Sequence, residues 1–387
     1  MFTFSRNNLS FITASLHWYQ IAVCISLANV FSKIFFRNVS SWIIMLFWLA
    51  VVIGRPFGAY LFGKYGDKHG RIKSVYLAFC LMSIATLSIA FLPDNSAYIF
   101  VFLTFLQGVS IGGNHNITVM DVESGSGGKY YLSSISSKGY IMGFIASSAV
   151  VSLLDWQLQE SMFVYGWRFA ILLSIPFSIF IVWNLRKYFD KLDKPIVQKK
   201  LHYNFKRLPS AFILTFIQML FVYTFLVFLP NYKIILVGEQ PETVLLYTLL
   251  MLVVTFLATP KLGEIADKHG SLSSVKFASG LLIFCSFLNF LVSWDMNSIV
   301  LSILFGIILG IINASFYGYI TMIFPHSVRG KISSMLINIT ASAAAILISF
   351  MLKLAAINFN YVIFMLAFLA FVGIFIMNRM SESWAEK

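Results

Sequence analysis

Apolar residues in this chain come in long runs, bounded by charges and by clusters of Gly, Pro and Asn, and not in the alternating or one-faced stripes of a soluble fold. Crossing a bilayer as a helix takes about 20 apolar residues. Twelve runs approach or exceed that length: 12–36, 41–63, 74–93, 98–120, 133–154, 169–185, 209–229, 243–259, 273–293, 298–323, 332–355 and 359–379. Connections are brief except for a basic, polar segment at 186–208. The pattern predicts an all-α polytopic membrane protein with twelve transmembrane helices. A six-helix bundle (1–185) and a second one (209–387) flank a linker (186–208).

The polar positions orient these runs. With the N-terminus inside, cytoplasmic segments hold 21 of the 28 Lys and Arg, and the outer loops hold Lys33, Arg37, Arg168, Lys233 and Lys353. Both termini are then cytoplasmic. One charged phrase occurs twice: Gly63, Asp67, Lys68, His69 and Gly70 recur 200 residues later as Gly263, Asp267, Lys268, His269 and Gly270. Lys129 and Arg329 keep the same offset. Two halves in one register and one orientation mean a parallel repeat about an axis along the membrane normal, an architecture of secondary transporters.

On this reading the phrase lies in two cytoplasmic connections, 64–73 and 260–272. Gly63 allows close approach of a neighbouring helix, and Gly70 allows a turn at positive φ. Asp67 suits the positive end of a helix dipole, its own or a neighbour's. Lys68, Arg71 and Lys73 keep the connection inside, so the phrase reads as a gating latch. A plain turn needs Gly and some Lys, but not the order Asp-Lys-His-Gly twice.

Composition narrows the classes further. The chain is 59% hydrophobic and 11% charged, with mean hydropathy +0.84, against about 25% charged residues in a soluble domain. Its 40 Phe and 17 Tyr suit lipid-facing and interfacial positions. The net charge of +13 does not mark a nucleic-acid partner, because the basic residues sit in short loops and not on one face. Cys24, Cys80 and Cys285 lie far apart in apolar runs, so neither a disulfide framework nor a metal site follows. The first run is too long for a cleavable signal. No nucleophile–base pair is present, and the glycine-rich 125–129 lacks the strand and spacing of a phosphate loop. No enzyme activity and no cofactor are expected. The partners expected are the lipid bilayer, a small-molecule substrate and protons, with the chain acting as a monomer.

The residues "GKYGDKHGRIK" resemble the loop 2–3 signature of the major facilitator superfamily, and "GEIADKHG" its degraded second copy. Within that superfamily the chain is similar to the metabolite:proton symporters, which include proline/betaine and organic-acid carriers. The likeness rests on "GRPFGAYLFG" (54–63), "LQGVSIGG" (106–113), "GWRF" (166–169) and "FLPNY" (228–232). It implies the major facilitator fold, two pseudo-twofold bundles whose cavity is lined by spans 1, 4, 7 and 10. The C-terminal coiled coil of some relatives is not expected.

Departures from the family pattern fall where coupling would sit. Span 1 of these symporters carries Glu-Trp-Tyr-Asp; here it reads His17, Trp18, Tyr19, Gln20. In span 4, Thr104 replaces an arginine and Asn114 a glutamate. No span interior holds Asp or Glu, which leaves His17 and His115 as groups able to carry a proton within the membrane. Gln107, Ser110, Asn114 and Thr118 share one face of span 4, and Asn313 and Tyr317 one face of span 10. Trp18 and Tyr19 could hold a quaternary ammonium by cation–π contact. Gly306 and Gly310, a G-x-x-x-G pair, read as helix packing. Arg55 is expected to snorkel to the inner interface and, matching the family's Arg-Pro pair, to join Gly63, Asp67, Lys68, Gly70, Arg71, Asp267 and Arg329 in gating. Lys138 is expected to snorkel as well.

The function expected is secondary active transport of a small metabolite or osmolyte, a proline/betaine-like zwitterion or an organic acid, by alternating access with proton symport. The alternative is a solute receptor, or a uniporter or exchanger without coupling. Drug efflux is disfavoured, because span 5 lacks the Gly-Pro motif of those antiporters.

Overall fold

The computed structural model describes residues 6–36, 41–124, 127–188, 208–291 and 298–384. The described residues are helical almost throughout and include no strand. Among the described residues, ten helices are long and apolar enough to cross a membrane. The other two expected crossings, 41–63 and 273–293, coincide with helices α3 (Ser41–His69) and α13 (Ser271–Leu291), which are not among those ten. Most of the expected linker, 189–207, lies outside the described residues.

The chain forms two compact units. The first comprises Met1–Ser124, Ile135–Leu201 and Phe324–Asn338, and the second Gly125–Ser134, His202–Ile323 and Ile339–Lys387. Two segments therefore cluster away from their own half of the sequence: 324–338 in the first unit and 125–134 in the second.

Helix α3 packs along α5 (Ala97–Asn114) because both present glycines where they meet. A Cβ on Gly54 would lie 2.5 Å from the Phe105 carbonyl oxygen and 2.8 Å from the Val109 nitrogen. The backbone of Val109, Val51 and Arg55 closes off Gly58, Gly108 and Gly112 in the same way. Lipid supplies no hydrophobic drive between helices, so close backbone approach of small residues is what joins them. In the second unit, α12 (Pro241–His269) and α14 (Ser298–Met322) repeat the device, with a Gly306 Cβ position 2.8 Å from the Met251 carbonyl oxygen. At one end of the first unit, Phe31, Phe35, Phe100 and Trp167 form a fully buried aromatic cluster, with ring centroids 4.8 to 5.6 Å apart in the contacting pairs.

The two expected connections are shorter than 64–73 and 260–272. Helix α3 continues to His69 and α4 (Arg71–Ala90) starts at Arg71, so Gly70 alone breaks the helix. Gly270 does the same between α12 and α13. Both glycines have positive φ, 110° and 87°, which side-chain-bearing residues avoid. Asp67 consequently sits in the last turn of a helix and not ahead of the next one.

Candidate functional site

Asp67 is buried, and its carboxylate lies at the start of α15 (Arg329–Ile357). Oδ1 accepts the Gly330 N–H at 2.9 Å, and Oδ2 accepts the Lys331 N–H at 2.8 Å. These are N–H groups that a helix leaves without internal partners, at the positive end of its dipole. Gly63, one turn earlier, brings the backbones together: its Cβ position is 2.6 Å from the Lys331 Cα. Arg71 also pairs with Asp67 and sends Nε and Nη2 to Glu123 Oε2 and Oε1, at 3.0 and 3.1 Å. Arg329 reaches Glu123 Oε1 at 3.3 Å, and His326 Nε2 lies 3.5 Å from the same oxygen. Two carboxylates and two guanidiniums thus close a buried network, the arrangement that makes buried charge tolerable. Burial, the largest influence, pushes the Asp67 carboxyl above its ordinary range, against the Arg71 charge and the two backbone donors.

The second copy keeps the cap, and among the described residues no ion-pair network accompanies it. Asp267 Oδ1 accepts the Tyr130 N–H at 3.0 Å and Oδ2 the Tyr131 N–H at 2.9 Å, at the start of α7 (Lys129–Leu158). Ser271 stands where Arg71 stands in the first copy, and its hydroxyl donates to the Tyr130 hydroxyl at 2.9 Å. Asp267 itself is exposed. Lys68, also expected in the latch, is exposed.

Arg55 does not snorkel. It is buried, and its Nε donates to Asn338 Oδ1 at 3.1 Å. Asn338 in turn donates to the Ser334 carbonyl oxygen at 2.9 Å. The side chain of Arg55 is thereby held inside the first unit, where an amide oxygen replaces water. Lys138 is half-buried, with Nζ 5.9 Å from the centroid of the Phe11 ring. Lys233 departs from expectation too: it lies in a continuous helix, Leu208–Val237, and is buried, not in an outer loop.

The remaining candidates fall into two groups. In the first unit, Tyr19 donates its hydroxyl to the Ala170 carbonyl oxygen at 2.7 Å. Gln20 Nε2 donates to Ser178 Oγ at 2.9 Å, and Gln107 Nε2 to Thr86 Oγ1 at 2.8 Å. His17 Nε2 is 2.9 Å from Ser110 Oγ, and Ser110 donates its own proton to the Ala78 carbonyl oxygen at 2.6 Å. With its hydrogen engaged there, Ser110 can only accept from His17. Neutral His17 therefore carries its proton on Nε2 and a lone pair on Nδ1. That Nδ1, the Trp18 Nε1, the Gln107 Oε1 and the Asn114 Oδ1 are buried and bond to no protein group. Trp18 leans on Tyr140 and Phe144, with centroids 5.6 and 5.2 Å away. His115 is buried at the point where α5 gives way to α6 (Asn116–Ser124). In the second unit, Asn313 Nδ2 donates to the Leu309 carbonyl oxygen at 2.9 Å, and Tyr317 is half-buried next to Phe316.

The sequence alone gives no role to Glu123, Asn338 or Gly330, which the structure brings to these contacts. Gly330 admits no Cβ: one would come within 2.9 Å of both Asp67 Oδ1 and Asn116 Oδ1. The signal available was an acid at the end of the fourth span, with arginines at the same end of the third and eleventh.

These features define a polytopic helical membrane protein with duplicated carboxylate-to-helix caps, the architecture of a transporter. The chain belongs to the Major Facilitator Superfamily, whose family model matches residues 9–349. It is 28% identical over 332 residues to the shikimate transporter of Escherichia coli K12, covering 78% of this chain and 74% of that protein. The alpha-ketoglutarate permease of the same organism is 25% identical over 281 residues, covering 67% and 65%. Its proline/betaine transporter is 23% identical over 371 residues, covering 86% and 74%. Among solved structures, the proton:xylose symporter XylE bound to 6-bromo-6-deoxy-D-glucose superposes with TM-score 0.79 at 16% identity, over 97% of this chain and 94% of that one. A bacterial homologue of the iron transporter ferroportin, in an outward-facing state, gives 0.69 at 15% identity over 98% and 100%.

Proposed function

We propose that this transporter imports a small polar metabolite, an organic acid or a proline/betaine-like zwitterion, by proton symport. It works as a monomer in the bacterial cytoplasmic membrane, with both termini in the cytoplasm. The observation that carries the alternating-access part is the doubled cap, Asp67 on Gly330 and Lys331 and Asp267 on Tyr130 and Tyr131. In each, a carboxylate from one half of the sequence holds the first turn of a helix from the other half. Two backbone hydrogen bonds can be exchanged for water at small net cost, so such a cap holds one arrangement and releases in another.

Trp18 and Asn114 are the solute contacts, since each has a buried polar atom with no protein partner and Trp18 adds an aromatic face. His17 carries the proton. Its Nδ1 lone pair is already presented by the bond from Nε2 to Ser110. The relatives named for shikimate, alpha-ketoglutarate and proline/betaine support solutes bearing a carboxylate. The exchange or receptor reading draws on the absence of any Asp or Glu beside His17 in its span.

The test is uptake of labelled shikimate, 2-oxoglutarate, proline and betaine by cells expressing the protein, with and without an uncoupler. Accumulation of one solute that collapses on uncoupling is expected. Equilibration without accumulation favours the exchanger, and binding without entry the receptor.

A further inference from the structure

A second, unassigned site lies in the second unit, at the end of helix Leu208–Val237. The last turn of that helix, Lys233–Val237, is π-helical, as is Thr224–Phe228; such turns often mark functional positions. Gly238 follows at φ 79°, and the Glu239 N–H returns to the Lys233 carbonyl oxygen at 3.0 Å. This tight turn folds Glu239 back on its own helix. Its two carboxylate oxygens sit 3.1 and 3.3 Å from Lys233 Nζ, which lies 5.2 Å from the centre of the Tyr247 ring. The partners differ in accessibility: the Lys233 side chain is 11% exposed and that of Glu239 29%.

Lys233 forms part of the wall of a small, open-mouthed recess of about 50 Å³. Its wall is mainly apolar and includes Leu229, Met251, Leu301 and Phe305, with Thr248 and Ser302 also among the lining residues. Among the described residues that line the recess, Lys233 is the one with a formal charge, and Glu239 is not one of them. A mainly apolar recess with a single buried cation on its wall suits one kind of guest. That guest has a carboxylate to meet Lys233 and a short apolar body to fill the rest.

We propose that this recess binds a short-chain carboxylate, and that Glu239 is a tethered competitor for its anion-binding position. Exchange of one carboxylate for another keeps Lys233 paired, so the guest avoids the penalty of an uncompensated buried charge. What it adds is apolar burial, worth about fourfold in affinity per methylene. Glu239, held by a local turn and partly exposed, swings outward as the guest enters. The inference uses residues of the second unit alone and does not depend on the transport reading.

Thermal unfolding of the purified full chain in a non-ionic detergent, titrated with acetate, butyrate, valerate and valeramide, tests it. Valerate is expected to stabilise the protein at lower concentration than butyrate, and butyrate than acetate, with valeramide inert. Glu239→Gln removes the competitor and should bind valerate about tenfold more tightly. Lys233→Gln should lose the response. Opposite effects from the two partners of one ion pair are not what a purely structural pair gives. If Lys233→Gln fails to fold, Glu239→Gln decides alone. Unchanged or weaker valerate binding by Glu239→Gln, or valeramide binding equal to that of valerate, overturns the proposal.

Discussion

Gly63 and Lys331 meet backbone to backbone: a Cβ on the glycine would stand 2.6 Å from the lysine Cα. No rotamer change relieves that contact, because the obstructing atom is main chain. Gly63→Ala should therefore pry the first turn of α15 off Asp67 and lower solute uptake by about tenfold, the shift expected from roughly 1.4 kcal/mol against the capped state. Gly263→Ala should do less, since its nearest neighbours, the Tyr130 carbonyl oxygen and the Tyr131 Cα, are both 3.0 Å away. Uptake rates of the two variants at equal surface expression check the order.

The two caps should respond unequally to loss of charge. Asp67 is buried and coupled to Arg71 and Glu123, whereas Asp267 is exposed and screened by water. Asp67→Asn gives up charge-assisted bonds worth about 2 kcal/mol and should change the capped population about thirtyfold. Asp267→Asn should change it little. Transport assays with both variants in parallel read this out, and equal losses would contradict the asymmetry.

Glu123 should matter more to folding than its position at a helix end suggests. Glu123→Gln leaves Arg71, 5% exposed, with one carboxylate where it had two, and breaking such a buried pair costs about 3–5 kcal/mol. A lowered Tm in detergent is expected. Arg71→Lys should not be neutral either, because an ammonium cannot make the two-pronged contact to Glu123 while holding Asp67.

His17→Gln separates coupling from binding. Glutamine keeps a donor for Ser110 and has no nitrogen to protonate. In proteoliposomes, accumulation driven by a pH gradient should vanish while counterflow exchange persists. Accumulation undiminished in this variant would remove His17 from the proton path.

Much of this was legible in the sequence, and for definable reasons. Membrane crossings read out because lipid forces long apolar runs, and Gly70 and Gly270 because a one-residue break at positive φ demands glycine. The offset of 200 exposed the paired aspartates, and the expectation that Asp67 meets a helix dipole, its own or a neighbour's, resolves to the neighbour's. What stayed hidden was partnership across long separations. Glu123 meets Arg329 at a distance of 206 residues and Arg55 meets Asn338 at 283, and no local spacing encodes either. Arg55 is expected to snorkel because a long cationic side chain is assumed to seek water, and it instead has an oxygen partner inside the protein. Lys233 is placed in an outer loop because the apolar run ends at 229, whereas the helix continues to Val237.

The central claim is that the Asp67 cap opens and closes as solute moves. Spin labels on Lys68→Cys and Ser333→Cys, in a background with the three native cysteines replaced by serine, measure it directly by pulsed electron resonance distances. Two distance populations are expected, with the transported solute changing their ratio and Asp67→Asn depleting the shorter one. A single distance, indifferent to solute and to Asp67→Asn, would contradict the account.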